Sequence, residues 1–327
     1  MRRIVLAGGS GQVGTVLARE FHARGDDVVV LSRGDAQVPW QTAEWDGRSV
    51  GPWASHVDGA DVVINLAGRS VNCRYTARNR REILDSRIES TRAIGDAIAK
   101  AVRAPRLWLQ SSTATIYADR TDVPNDEATG VIGGDEPGVP ETWKFSVEVA
   151  RAWEEACNAA PTPRTRKVLL RSAMIMSSDT GGIFDTLRTI VRRGLGGKAG
   201  SGRQYVSWIH ERDFVGALDW LIEREEIAGV VNVASPNPLP QAEFMADLRR
   251  AVGAPVGLPA TNWMLEVGAF LMGTETELIL KSRRVVPGRL LANGFVFAFP
   301  RWLEAANDLT ASRTGTPGAG EKIGCGL

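Results

Sequence analysis

Short apolar runs rich in β-branched residues alternate with stretches of helical spacing through the front half of the chain. RRIVLAG (2–8), DDVVVLS (26–32), ADVVINLAG (60–68), PRLWLQSS (105–112) and RKVLLRSA (166–173) read as buried strands. Between them, residues 13–24 place Val13, Leu17 and Phe21 on one helical face before Gly25 stops the run. Helical patterning returns over 76–102 and in ETWKFSVEVARAWEEA (141–156). Strands alternating with helices of this length predict an α/β fold, a Rossmann-type doubly wound parallel sheet covered on both faces. After about Ser172 the pattern loosens. Glycines crowd 194–202, a helix is expected after His210, GVVNVAS (229–235) reads as a strand, and helices are expected over 241–252 and 263–272. The implied organisation is a nucleotide-binding domain over 1–171, to which 210–235 returns. A smaller C-terminal substrate lobe takes 172–209 and 236–310, and a Gly-rich tail expected to be disordered covers 311–327.

Charge and composition narrow the function classes. Lys plus Arg is 39 against 38 for Asp plus Glu, so no charge excess calls for nucleic acid or an anionic membrane. No run of about 18 apolar residues predicts a membrane span, and the apolar run after Arg2 and Arg3 passes into glycine too soon for a signal peptide. Cys73, Cys157 and Cys325 form no disulfide framework, and His22, His56 and His210 stand singly, so no metal site is expected. A reducing, cytoplasmic setting fits this cysteine usage.

The chemistry begins at Gly8-Gly9-Ser10-Gly11-Gln12-Val13-Gly14, between the first strand and the first helix. Glycines at 8, 11 and 14 permit a tight turn, close approach to a pyrophosphate and close helix packing, while the helix N-terminus offers free N–H groups. Ser10, Gln12 and Val13 fall in the same cofactor loop. The second strand ends at Ser32-Arg33, where an NAD enzyme usually carries an acid. An arginine there favours a 2′-phosphate, so NADP is expected over NAD, the alternative being a solvated surface arginine. Asp46 can accept from an adenine amino group or cap its own loop. The small residues of Asn65-Leu66-Ala67-Gly68 let a strand end lie against the cofactor.

These features, with Ser111-Ser112-Thr113-Ala114-Thr115-Ile116-Tyr117, make the chain resemble the short-chain dehydrogenase/reductase superfamily in its extended, epimerase-like form. It is more closely similar to the atypical, YfcH-like "epimerase family" group, through ILDSRIESTRAI (83–94), ARAWEEA (150–156), GSGRQYVSWIHERD (200–213), NVASPNP (232–238) and SRRVVPGRLLANGFVFAFP (282–300). By that resemblance Thr113 takes the catalytic hydroxyl position, and Arg87 stands where the superfamily usually has asparagine. The helical Tyr-x-x-x-Lys pair of the superfamily falls on Ser146 and Ala150, neither of which can serve as its acid or its cation.

Of Tyr75, Tyr117 and Tyr205, Tyr117 lies nearest Thr113 in sequence and is the expected replacement, with Arg87 as its cation; the alternative is that Tyr117 only packs. Arg203 is expected to grip a carboxylate or phosphate of the substrate, or to be a surface loop residue, and Trp208 to line the substrate site. His210 reads as a packed or capping residue. The resemblance implies an NADP-dependent oxidoreductase acting on a small carbonyl or hydroxyl compound. Alternatives are a sugar-nucleotide epimerase or dehydratase and a non-catalytic NADP(H)-sensing protein. A homodimer through the helices over 76–102 and 142–157 is a further expectation.

Overall fold

The computed structural model describes residues 1–312 apart from 35, 36, 272 and 274. The strands are β1 (Arg3–Ala7), β2 (Asp27–Ser32), β3 (Gln41–Glu44), β4 (Val62–Asn65), β5 (Leu107–Thr113), β6 (Arg166–Ser172), β7 (Met174–Met176), β8 (Tyr205–Val206), β9 (Trp208–His210), β10 (Gly229–Val233) and β11 (Leu239–Pro240). The first helices are α1 (Gln12–Ala23), α2 (Ala77–Lys100), α3 (Glu141–Ala159), α4 (Ile183–Arg192) and α5 (Glu211–Glu223). They are followed by α6 (Gln241–Val252), α7 (Asn262–Leu271), α8 (Glu277–Leu280), α9 (Gly288–Ala292) and α10 (Trp302–Ser312).

Seven strands form one sheet in the order β10-β6-β5-β4-β1-β2-β3. Every pairing in it is parallel, as in a Rossmann-type fold. Alternation along β1 shows why both faces are covered. Ile4 and Leu6 pack with Leu17 and Phe21 of α1 and with Phe214, Leu218 and Leu221 of α5. Val5 and Ala7 point to the other face and pack with Ala93, Ile94 and Ala97 of α2 and Cys157 of α3. A strand buried on both faces reads as a continuous apolar run, which is why β1, β2 and β4 were visible in the sequence. Strand β3 was not. Its residues QTAE carry no apolar pattern, and it is a strand because it pairs in register with Val29–Ser32 at the sheet edge.

The remaining elements form a lobe with its own core. Strand β7 pairs with β9 in parallel, and β8 pairs with β11 in antiparallel fashion. Helices α4, α6 and α10 close over a cluster centred on Trp302. The Trp302 ring stacks on Phe244 at 4.1 Å between centroids and lies 5.0 Å from Trp208, and its Nε1 donates to the Phe244 carbonyl at 2.9 Å. Trp208 is fully buried in this cluster, which corrects its expected place in a substrate site. His210 is also internal: it caps α5, its Nδ1 accepting from the Arg212 N–H at 3.1 Å. Helix α10 runs through residues 311 and 312, where a disordered tail was expected to begin, while 313–327, with Cys325, lie outside the described residues.

Trp302→Ala removes the ring around which three helices pack, so unfolding stability is expected to fall by about 3–5 kcal/mol. Urea denaturation followed by circular dichroism checks this, and an unchanged midpoint would contradict the central placement of Trp302.

Candidate functional site

The order of the sheet makes the site. The chain leaves β1 toward β2 on one side and crosses to β4 on the other, so the loops after β1 and β4 diverge and open a crevice at the carboxyl ends of these strands. The glycine loop lines this crevice. Gly8 has φ +73°, and a Cβ on it would lie 2.8 Å from the Ala67 Cα, so only glycine lets the two loops approach so closely. A Cβ on Gly14 would meet the Gly9 backbone at 2.4 Å, which is the close helix–strand packing expected of the third glycine. Gly11 caps α1 without any side-chain hydrogen bond, no acidic residue occupies the first turn, and Ser10 and Gly11 are exposed. The positive end of α1 therefore faces the crevice with no acidic side chain in its own first turn. Beside it, the buried Gln12 Nε2 has no hydrogen-bond partner. Val13 is half-buried against the sheet core. An uncapped helix end, a loop that tolerates no side chains at its tight points and an orphaned donor together suit a dinucleotide's pyrophosphate.

Arg33 is exposed at the end of β2. Ser32 is committed to its own turn, its Oγ donating to the Gly34 carbonyl and accepting from the Gly34 N–H at 3.3 Å. Asp46 takes the loop-capping role. Its carboxylate accepts from Arg48 N at 2.8 Å and Ser49 N at 2.9 Å, and from Ser49 Oγ at 2.5 Å, and the Ser49 hydroxyl holds its pKa below the usual range. Asn65 is fully buried and shapes the crevice from behind. Its Oδ1 accepts from Ala67 N at 3.0 Å, and its Nδ2 donates to Gln110 at 3.0 Å and Thr91 at 3.3 Å, so its side chain is not free to contact a cofactor. Leu66 and Ala67 are half-buried and Gly68 is exposed. This is the wall that continues into a second space, since a Cβ on Gly68 would sit 3.2 Å from the Arg87 side chain.

That second space is a pocket of about 100 Å³ at the end of β5, lined by Thr113, Tyr75, Ser146, Arg87, Glu277 and Arg283 together with apolar residues. Thr113 Oγ1 accepts from Thr115 N at 3.1 Å, which leaves its proton free to donate. Arg87 donates through Nη1 to the carbonyls of Ile83 at 3.0 Å and Arg69 at 3.1 Å, and its guanidinium lies 4.9 Å over Trp153. Among the described residues it has no carboxylate partner, and burial lowers its pKa to about 10. Ser146 donates to Glu277 Oε2 at 2.5 Å, and the Tyr75 hydroxyl is hydrogen-bonded to Ser146. Burial raises the pKa of both Tyr75 and Glu277. Arg283 is held by Thr115 Oγ1, which accepts from its Nε at 3.0 Å.

Thr113 and Arg87 both line this pocket, but Tyr117, which Arg87 was expected to serve as cation, does not. Tyr117 is 2% exposed and lies beneath the site. Its hydroxyl donates to Asn232 Oδ1 at 2.9 Å and accepts from Arg171 at 3.1 Å, while Arg171 is paired with Glu154 at 2.8 Å. Burial raises its pKa, and no free face is left for a substrate. Sequence adjacency to Thr113 misled because a turn of 3-10 helix over Ala114–Ile116 carries the next residues down into the core. Arg203 is exposed and does not line the pocket. Arg283 and Tyr75 line the pocket instead. Nothing in the local sequence of Tyr75 signals that the loop entering α2 faces Ser146.

The comparisons with known proteins fit this architecture. The model of the NAD dependent epimerase/dehydratase family matches residues 4–234. The chain belongs to that family. A domain of unknown function, DUF1731, matches residues 260–309, the segment that supplies Glu277 and Arg283. Epimerase family protein SDR39U1 of Bos taurus is 31% identical over 316 residues, covering 94% of this chain and 100% of that protein. The Mus musculus protein of the same name is 30% identical over 315 residues, with the same coverage. The crystal structure of human SDR39U1 with NADPH superposes with a TM-score of 0.81 at 28% identity, covering 94% of this chain and 99% of that one. This family member is an atypical short-chain dehydrogenase/reductase, with Ser146 and Ala150 on the helix that normally carries tyrosine and lysine.

Tyr117→Phe leaves Asn232 Oδ1 and Arg171 short of a partner in the interior, so stability is expected to drop by about 1–3 kcal/mol. Chemical denaturation measures it; a variant as stable as the parent would contradict the buried role.

Proposed function

We propose that the chain is an NADP(H)-dependent oxidoreductase acting on a small carbonyl or hydroxyl compound, with Tyr75 in place of the absent helical tyrosine. The observation that carries this is the convergence of Thr113, Tyr75 and Ser146 on one pocket that shares the Ala67–Gly68 wall with the glycine-loop crevice. The crystallised human relative contains NADPH, and Arg33 is exposed at the end of β2, the strand end that in dinucleotide-binding folds serves the ribose. When bound, such a nucleotide supplies hydride chemistry at its nicotinamide.

The residues of the chain supply the rest. Thr113 has a hydroxyl proton to donate to a carbonyl oxygen. Burial raises the Tyr75 pKa, so its neutral phenol is a hydrogen-bond donor for a carbonyl oxygen. Ser146 donates to Glu277 and interacts with Tyr75, so the three side chains lie together at the pocket. Glu277, its pKa raised by burial, holds a proton more readily than an exposed carboxylate. The pocket is small, at about 100 Å³, and so favours a small compound over a sugar nucleotide.

Titration with NADPH and NADH in parallel tests the cofactor. Arg33→Ala is expected to weaken NADPH by about tenfold and leave NADH unchanged, the loss expected for one charge-assisted contact to phosphate. Equal weakening of both nucleotides would remove Arg33 from the 2′-site. A screen of small aldehydes and ketones, followed by NADPH oxidation, tests the chemistry. Tyr75→Phe is expected to lower kcat by about 100-fold or more, with NADPH affinity retained. Tight NADPH binding with no turnover across the screen would favour a non-catalytic NADP(H)-sensing protein instead.

A further inference from the structure

Two arginines line the pocket. Arg87 reaches it with no carboxylate partner among the described residues. Arg283 reaches it from the opposite end of the sequence, with a side chain only 10% exposed. Its Nε is used by Thr115, and its Nη1 by the carbonyls of Glu277, Leu278 and Lys281 at 3.3–3.4 Å. Its Nη2 is buried and has no hydrogen-bond partner. Among the described residues lining the pocket, the carboxylate is Glu277; its Oε1 lies 4.0 Å from that Nη2, beyond hydrogen-bond range, and is itself unpartnered, while Asp119 acts on Arg283 without lining the pocket.

Glu277 is also shared. Lys281 Nζ stands 3.8 Å from the same oxygen, and Asp119 and Glu136 act on Lys281 in turn. Among the described residues lining the pocket, two arginines face one carboxylate. A buried donor left open there is costly unless a ligand completes it. Guanidinium groups match a carboxylate in shape and charge. Tyr75 lies within electrostatic range of both Arg87 and Arg283, so the anion and the proton donor belong to the same small space. A ligand filling about 100 Å³ can place a carboxylate only one or two carbons from the carbonyl that Thr113 and Tyr75 address.

We propose that the pocket takes a short oxo acid, its carboxylate received by Arg87 and Arg283. This rests on reading the pocket as a carbonyl site, and it names the substrate class that reading leaves open. The DUF1731 segment is then a part of substrate recognition, because it contributes Arg283.

The test is calorimetric titration of the full chain with 2-oxobutanoate and acetoacetate, and with the methyl ester of each, in the presence and absence of NADPH. At least one acid is expected to bind about tenfold or more tightly than its ester, the loss of one charge-assisted contact. Arg87→Gln and Arg283→Gln, each verified as folded by a cooperative melt, are expected to abolish that preference. Should Arg283→Gln fail to fold, Arg87→Gln and the acid–ester comparison on the unaltered chain still decide the matter. Acids and esters binding alike, or no acid binding, would overturn the proposal. Failure of the nucleotide titration with the acid preference intact would sink the oxidoreductase reading and leave the anion site standing, so the two failures are distinguishable.

Discussion

Residues 282–286 are pinned from three directions, and the pocket exists because of it. From the lobe, Arg283 N donates to the Tyr205 carbonyl at 2.8 Å, and Ser207 Oγ donates to the Arg283 carbonyl at 2.6 Å. From the segment after β5, Asn125 N donates to the Arg284 carbonyl at 2.7 Å and Asn125 O accepts from Val286 N at 3.0 Å. From the sheet, Asn232 Nδ2 donates to the Val286 carbonyl at 3.0 Å. The backbone is thereby held across the carboxyl end of β5, and Arg283 has no route except toward Thr115 and the pocket.

This joint also explains the buried polar groups beneath it. Asn232 can present its amide to Val286 because its other end accepts from Tyr117, and Tyr117 is fixed by the Arg171–Glu154 pair. Such a network is favourable only when its members are satisfied. Here it uses a tyrosine, an arginine and a glutamate that in the linear sequence look available for chemistry. The catalytic-looking hydroxyl next to Thr113 is therefore consumed in holding the lobe to the sheet. The hydroxyl that faces the pocket arrives on the loop before α2.

The two functional regions differ in how far local sequence reveals them. The glycine loop was readable because its demands are local: a turn at Gly8, contact with the Gly9 backbone at Gly14, and an uncapped helix start all lie within a few residues. Thr113 and Arg87 were legible only through the family resemblance, Thr113 at its hydroxyl position and Arg87 where the superfamily usually has asparagine. The Asp46 carboxylate was ambiguous for a physical reason: an aspartate followed by turn residues serves its own backbone as readily as a ligand. Arg203 and Trp208 were misplaced because the lobe is made of short pieces. Strands of two and three residues carry too little pattern to say which side chains face inward.

The parallel sheet, its two covered faces and the nucleotide loop were determined by the sequence alone, since they follow from hydrophobic period and from glycine stereochemistry, which act over neighbouring residues. Only the tertiary structure decided which tyrosine meets Ser146 and which arginine completes the pocket. Tyr75, Ser146, Glu277 and Arg283 come from separate elements, and their meeting depends on long-range packing and on hydrogen bonds between distant backbone segments. No local period encodes such a meeting, because the free energy that enforces it is gained only when the lobe and the sheet close on each other.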